Sequence, residues 1–345
     1  MKKRKEVYLT RRILEPAISL LAAKYRVSIH DSIRPPTKPK LKEGIRNKNA
    51  ILCTLSDNID KEVLEEAGPN LKVISSYSTG YDHIDVIEAT RRGIVVANTG
   101  DVLAEATADL TFGLILAVSR RIVEADKFVR RGLWKVAWMP NLLLGSNVYN
   151  STLGILGLGR IGRAVARRAK GFDMNILYHN RHRLDNGLES RLGVRYVGLN
   201  ELLRKSDFLT IHTGLNQDSS NMIGKYQLSK MKNDSYLINT ARGGIINEND
   251  LAEALRKKWI RGAALDTYRH EPLTGTSKLL PLSNIILLPH IGSATYDTRT
   301  KMSRIAAQNL INVLEGSEPI YSVNTHIIRR EYTEGNTKRC HRRGN

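Results

Sequence analysis

Residues 152–183 constrain what this chain can fold into more than any other stretch. A short apolar run, Leu153 to Leu156, enters the pattern Gly157-x-Gly159-x-x-Gly162. Ile161, Val165 and Ala169 then recur at helical spacing, and a second apolar run begins at Ile176-Leu177-Tyr178. Strand, glycine turn, helix and strand thus fit within the roughly 30 residues of a βαβ unit. Each glycine meets a steric demand: Gly157 permits a tight turn, Gly159 lets backbone approach a pyrophosphate, and Gly162 lets the helix pack against its strand. The unpaired N–H groups and positive dipole at the helix start, Arg160 and Ile161, favour phosphate. The pattern predicts a dinucleotide site.

A chain of 345 residues suggests two domains. Cys53 and Cys340 form no spaced cluster, so no disulfide framework and no metal site is expected, and a reducing cytoplasm fits. The basic start, Met1 to Lys5, is followed by no long apolar run of a secretory signal. The most apolar stretch, residues 110–118, contains Thr111 and Gly113 and is too short to span a bilayer. A soluble protein with no membrane partner is expected. The net charge of +20 is large, and part of it sits at the ends, in Lys2 to Lys5 and from Arg329 onward. No zinc-finger, helix-turn-helix or aromatic-interleaved basic signature accompanies it, so the charge reads as a solvated basic surface rather than a nucleic-acid interface.

The first hundred residues alternate apolar runs (7–9, 27–29, 50–52, 73–74, 94–96) with helical segments near 16–24, 60–67 and 86–92, an α/β unit in its own right. Gly44, Gly68 and Gly93 fall where helices should stop. Residues 102–132 read as one long helix, and 133–150, with Trp134 and Trp138, as irregular chain. After the glycine unit, strands are expected at 208–212, 236–239, 262–265 and 285–288, with helices near 200–205, 227–231 and 248–257 and a last helix at 296–315.

Three apparent strand ends carry polar residues: Asn239-Thr-Ala-Arg-Gly-Gly244, Leu265-Asp-Thr-Tyr-Arg-His-Glu-Pro272 and Leu288-Pro-His-Ile-Gly-Ser293. Ligands of open α/β sheets bind outside the carboxyl ends of strands, so Arg242, Asp266, Glu271 and His290 could converge there. Carbonyl reduction by hydride needs such a set. An arginine fork holds an anionic substrate, a histidine donates the proton, and a carboxylate orients the imidazole and favours its charged form.

These motifs resemble those of the D-isomer-specific 2-hydroxyacid dehydrogenases, especially the glyoxylate/hydroxypyruvate reductase branch. The resemblance also rests on Ser78-Thr-Gly-Tyr-Asp-His-Ile-Asp85, Asn98-Thr99, Ala106-Thr-Ala-Asp109, Thr240-Ala-Arg-Gly243 and Pro289-His-Ile-Gly-Ser-Ala-Thr295. It implies an α/β protein of two doubly wound parallel sheets, a Rossmann cofactor domain (residues 100–289) inserted into a flavodoxin-like substrate domain (residues 1–99 and 290–328), with residues 329–345 a disordered basic tail. It implies a hinge at the two crossings, Arg242 as substrate anchor, His290 as acid/base and Glu271 as its partner. Thr79 and Gly80 would offer backbone N–H groups to the substrate carboxylate. Thr107, Gly157, Gly159, Arg160, Ile161, Gly162, Thr240 and Asp266 would meet the cofactor, Asp266 at the nicotinamide carboxamide. The implied reaction is NAD(P)H-dependent reduction of small anionic 2-keto acids to D-2-hydroxy acids. Phosphoglycerate, phosphite or lactate oxidation, and a nucleotide-sensing corepressor-like role, are the alternatives.

Four departures stand out. Gly100 and Gly214 replace prolines and are expected to loosen the hinge and the adenosine-side loop. Asn150-Ser151 stands where Gly-Lys is common, and Thr79 where valine is common. At the end of the second cofactor strand, His179-Asn-Arg-His-Arg183, no carboxylate precedes Asp185. Asn180, Arg181 and Arg183 could receive a 2′-phosphate there, so NADP(H) is expected ahead of NAD(H). The resemblance, with the apolar 102–118 segment beside residues 134–140, predicts a homodimer.

Overall fold

A computed structural model describes residues 4–324. The chain divides into two compact units, one of residues up to Leu103 and from Thr295, the other Ala104–Ala294. The expected tail, residues 329–345, lies outside the described residues.

The first unit contains β1 (Glu6–Leu9), α1 (Ala17–Lys24), β2 (Arg26–Ile29), α2 (Lys38–Ile45), β3 (Ala50–Cys53), α3 (Lys61–Ala67), β4 (Val73–Ser76), α4 (Val86–Arg91) and β5 (Val95–Ala97). Its five strands are all parallel in the order β2-β1-β3-β4-β5, a flavodoxin-like arrangement. Both faces are covered, as a parallel sheet requires. One is packed by Ile45, Val63, Leu64 and Ala89, the other by Leu21 and by Ala306, Leu310 and Leu314 of the last helix. The chain returns to this unit: the Val323 N–H bonds Val96, and the buried Asn324 amide accepts from the Val96 N–H at 2.8 Å and donates to Thr90 and Ile94.

The second unit contains α5 (Ala104–Ser119), α6 (Ile122–Arg130), β6 (Thr152–Leu156), α7 (Arg160–Lys170), β7 (Asn175–His179), α8 (Asn186–Leu192), β8 (Val194–Tyr196), α9 (Leu199–Lys205), β9 (Phe208–Ile211), α10 (Lys225–Leu228), β10 (Tyr236–Asn239), α11 (Glu248–Arg256), β11 (Gly262–Leu265) and β12 (Ile285–Leu287); α12 (Tyr296–Leu314) follows in the first unit. The strands form one parallel sheet, β12-β11-β10-β9-β6-β7-β8, the Rossmann order extended by one strand. The crossover from β8 to β9 reverses direction beside β6, so the topological switch lies where the glycine loop leaves the sheet.

Two expectations need correction and a third holds. Residues 102–132 form two helices, because Arg121 adopts a left-handed conformation (φ 54°) that ends α5 and starts α6. The apolar spacing of Ala106, Leu110, Leu114 and Val118 fits a buried helix, and α5 is one. Ala108, Phe112, Leu114, Ile115 and Val118 are buried in the core shared with α7 and β6. Gly44 does not stop a helix but lies inside α2, where a Cβ would sit 2.3 Å from the Tyr8 ring.

Candidate active site

The glycine loop is built by close approach. Gly157 has φ +98°, and a Cβ there would meet the Thr213 nitrogen at 2.6 Å. A Cβ on Gly162 would lie 2.3 Å from the Gly157 carbonyl oxygen, so only glycine lets α7 start against its strand. Around Gly159, which precedes α7, a Cβ would meet open space. The loop is pinned from β7: Asn180 Oδ1 accepts the Leu158 N–H at 2.6 Å. Asn180 therefore supports the loop. Arg160 and Ile161 open α7.

A dinucleotide fits what the residues leave unsatisfied. At the carboxyl end of β9 both ring nitrogens of His212 are buried without a protein partner, and burial pushes this imidazole down to about 3. The hydroxyl of Thr267, at the end of β11, is likewise buried and unpartnered. Buried polar groups are almost always paired, and these two lie unpaired at the strand ends of the sheet that carries the glycine loop.

The chemistry-bearing side chains follow β10, β11 and β12. Gly243, next to Arg242, packs so closely on the next loop that a Cβ would lie 1.9 Å from the Tyr268 carbonyl carbon. Arg242 is thereby set against residues 268–271, with its backbone carbonyl accepting from Asn239 at 2.9 Å and its Nη1 donating to the Ala241 carbonyl. Glu271 uses both oxygens: Oε1 accepts the Tyr268 N–H at 3.0 Å, and Oε2 pairs with His290 Nδ1 at 2.7 Å. Burial pushes the Glu271 carboxyl up, but the His290 hydrogen bond and charge, the Tyr268 N–H and the Arg242 charge outweigh it and hold the group below its ordinary range. With Nδ1 committed to Glu271, Nε2 is the ring nitrogen left for proton transfer.

His290 has φ +56°, a conformation uncommon for any residue with a side chain. Asp266, fully buried, holds it there: Oδ1 accepts the Ile291 N–H and Oδ2 the Gly292 N–H, both at 2.8 Å. Burial raises the Asp266 carboxyl, and the two N–H groups oppose that rise in part. Thr107 on α5 donates to the Gly292 carbonyl at 3.2 Å. Thr111 donates to the Thr107 carbonyl, and its hydroxyl lies 2.9 Å from that of Thr240. The resemblance implies that Asp266, Thr107 and Thr240 meet the cofactor; in the structure Asp266 and Thr107 brace the His290 loop, and Thr240 lies against Thr111. The bracing ties residues 290–292 to the second unit.

In the first unit, residues 78–80 leave β4 clamped to the chain leaving β5. Asn98 Nδ2 donates to the Thr79 carbonyl at 2.8 Å, and Asn98 Oδ1 accepts the Gly100 N–H at 3.0 Å. The Thr79 hydroxyl bonds the Gly100 carbonyl, and the Ser78 hydroxyl donates to the Gly80 carbonyl at 2.5 Å. Gly100 has φ +62°, which proline cannot adopt, and Tyr321 lies where its Cβ would be. Two departures from the common pattern, Thr79 and Gly100, are bonded to each other.

The arginines after β7 have partners that lie far off in sequence or in the next helix. Arg181 pairs with Asp218, and Arg183 with Glu189 at 2.8 and 2.9 Å. A separate open cleft of about 520 Å³, lined by Asn221, Asn247, Arg269, His270 and Lys278 among others, includes none of Arg242, Glu271 and His290.

Residues 112–292 match the family model for the D-isomer specific 2-hydroxyacid dehydrogenase NAD binding domain. This chain belongs to that family. It is 45% identical over 323 residues to a glyoxylate reductase of Korarchaeum cryptofilum, covering 94% of this chain and 97% of the relative. It is 46% identical over 327 residues to one of Thermofilum pendens, covering 94% and 96%. A solved structure from Thermus thermophilus superposes with TM-score 0.86 at 41% identity, covering 92% of this chain and 99% of that one. An NADPH-dependent glyoxylate/hydroxypyruvate reductase from Sinorhizobium meliloti, in complex with NADP and malonate, superposes with TM-score 0.81 at 30% identity, covering 93% and 97%. The dehydrogenase is therefore an oxidoreductase that reduces keto acids with a nicotinamide cofactor. No helix among its described residues is long and apolar enough to cross a membrane.

Proposed function

We propose that this dehydrogenase reduces small 2-keto acids, glyoxylate and hydroxypyruvate foremost, to D-2-hydroxy acids, using NADPH at least as efficiently as NADH. The observation that carries the reading is the Glu271–His290 bond, 2.7 Å long, beside Arg242. A nicotinamide dinucleotide held at the glycine loop by residues 157–162 would supply the hydride for the keto carbon. His290 Nε2 gives its proton to the carbonyl oxygen, which becomes the hydroxyl, and Glu271 stabilises the imidazolium before transfer. Arg242 binds the substrate carboxylate and polarises the carbonyl, a task for a planar fork rather than a point charge. By the family resemblance, the backbone N–H groups of Thr79 and Gly80, in a loop held by Asn98, donate to a substrate carboxylate. Gly157 to Gly162 bind the pyrophosphate, and Arg181 reads the adenosine end.

The glyoxylate reductase names of the relatives support the substrate class. The NADP and malonate of the Sinorhizobium meliloti complex support both a phosphorylated cofactor and a small anionic substrate. Steady-state rates with glyoxylate, hydroxypyruvate, pyruvate and 3-phosphohydroxypyruvate, each with NADPH and NADH, test the reading. It predicts the first two as best substrates; turnover of none, or a preference for the phosphorylated acid, would contradict it.

A second copy of the chain is the proposed partner. The surface that supports a homodimer is not α5 but α6 and the irregular chain after it. α6 buries none of its residues, and Ile122, Val129, Trp134, Trp138 and Leu144 stand exposed, Trp138 at 77%. Light scattering at micromolar concentration should give the dimer mass, and Trp138→Glu should lower it.

A further inference from the structure

β6 lies between β7 and β9, so the chains leaving β7 and β9 flank the glycine loop that leaves β6. An ion pair spans that gap. Arg181, two residues past β7, reaches Asp218 in the loop after β9. The Asp218 loop is itself well formed: Asn216 Oδ1 accepts the Asp218 and Ser219 N–H groups at 2.9 and 3.0 Å, and the Ser219 hydroxyl donates to the Gly214 carbonyl at 2.8 Å. The loop also packs against the glycine turn, since the Gly157 position leaves no room for a Cβ beside Thr213. The pair thus bridges the switch-point crevice, where a dinucleotide lies in such a sheet.

The two arginines after β7 are held differently. Arg183 grips Glu189, whose side chain is only 10% exposed. Glu189 also accepts the Tyr178 hydroxyl at 2.5 Å, and the Arg183 guanidinium lies over the Tyr196 ring. Turning Arg183 toward a ligand would strand a largely buried carboxylate. The Arg181 and Asp218 side chains are 63% and 73% exposed, and exposed pairs exchange partners at little cost.

We infer that Asp218 is a specificity-determining residue for the cofactor: it competes with the 2′-phosphate for Arg181, and Arg181, rather than Arg183, reads that phosphate. NADH presents a hydroxyl there and leaves the pair intact. NADPH must take Arg181 from Asp218, so Asp218 taxes the phosphorylated cofactor alone. The inference rests on the reading that a nicotinamide dinucleotide binds across the glycine loop.

The test measures Kd for NADPH and NADH by cofactor fluorescence, independently of turnover, on the full chain and its Asp218→Asn, Arg181→Ala and doubly substituted variants. Both sites are exposed, so the fold is retained. Asp218→Asn should tighten NADPH relative to NADH by about 1.4- to 5-fold, the range of an exposed pair. Arg181→Ala should weaken NADPH relative to NADH roughly 10-fold or more. Asp218→Asn should then have no effect in the Arg181→Ala background. If Arg181→Ala lowers the ratio but Asp218→Asn leaves it unchanged, the competition is refuted while Arg181 keeps its role. A gain that persists without Arg181 also refutes it, since Asp218 would then repel the phosphate directly. A ratio indifferent to Arg181 overturns the inference, and binding of neither cofactor overturns the reading beneath it.

Discussion

Two ends of the same row of strand ends are built on different plans. After β10, β11 and β12, the carboxylates are each fixed twice and the backbone around them is closely packed. Glu271 accepts from two donors, Asp266 from two N–H groups, and Gly243 leaves no space for a methyl. After β7 and β9, Arg181 pairs directly with one exposed carboxylate, Asp218. Proton transfer tolerates little misplacement, so its residues are braced, even at the cost of a left-handed backbone at His290. Cofactor preference is a difference between two affinities, which an exposed charge can adjust without disturbing the core.

The largest effect should come from breaking the braced end. His290→Asn is expected to lower kcat by at least about 100-fold, the scale of a lost general acid. The cofactor Kd should stay unchanged, as measured by fluorescence titration. Near-normal turnover would remove His290 as the proton donor.

Arg242→Lys comes next. Losing a bidentate, charge-assisted contact worth about 1.5–3 kcal/mol should reduce kcat/KM for glyoxylate roughly 10- to 150-fold, divided between KM and kcat. An unchanged efficiency would take Arg242 out of the site.

The smallest effect sharpens the comparison within the adenosine end, where Glu189 is the braced exception. Its hydrogen bonds with Arg183 and then Tyr178 hold its carboxyl down at about 2, against an ordinary 4.5. A depressed carboxylate contributes stability above its unfolded value and loses it as pH falls through the folded one. Glu189→Gln should therefore be less stable than the natural protein at pH 7. The two urea midpoints should converge as pH drops from 4.5 toward 2. A difference independent of pH would show that the charge of Glu189 contributes nothing.

Much of this was legible in the sequence because it is local. The run 152–183 encodes β6, the glycine turn, α7 and β7 in one stretch, and β10 and β11 coincide with the expected segments at 236–239 and 262–265. Weak local signals were not legible. α2 and α8 are short and mostly polar, and β8 is three residues long. The break at Arg121 uses neither glycine nor proline. The residue types of the candidate site could be read, but not their bracing. Asp218 lies 37 residues from Arg181, Thr107 lies 185 from Gly292, and no spacing rule connects such pairs. The Thr79–Gly100 bond likewise explains two departures that looked independent in the sequence.

The separation of labour between the two ends is the central claim, and one crossed measurement tests it. Asn180→Asp combined with Arg181→Ala keeps an acceptor for the Leu158 N–H while placing a carboxylate at the ribose. Measured alongside His290→Asn, it should move the NADPH/NADH ratio of kcat/KM toward NADH by roughly 10- to 150-fold, with kcat on glyoxylate nearly unchanged. His290→Asn should collapse kcat and leave that ratio in place. A His290 variant that shifts cofactor preference, or an adenosine-end variant that loses turnover with both cofactors alike, would contradict it.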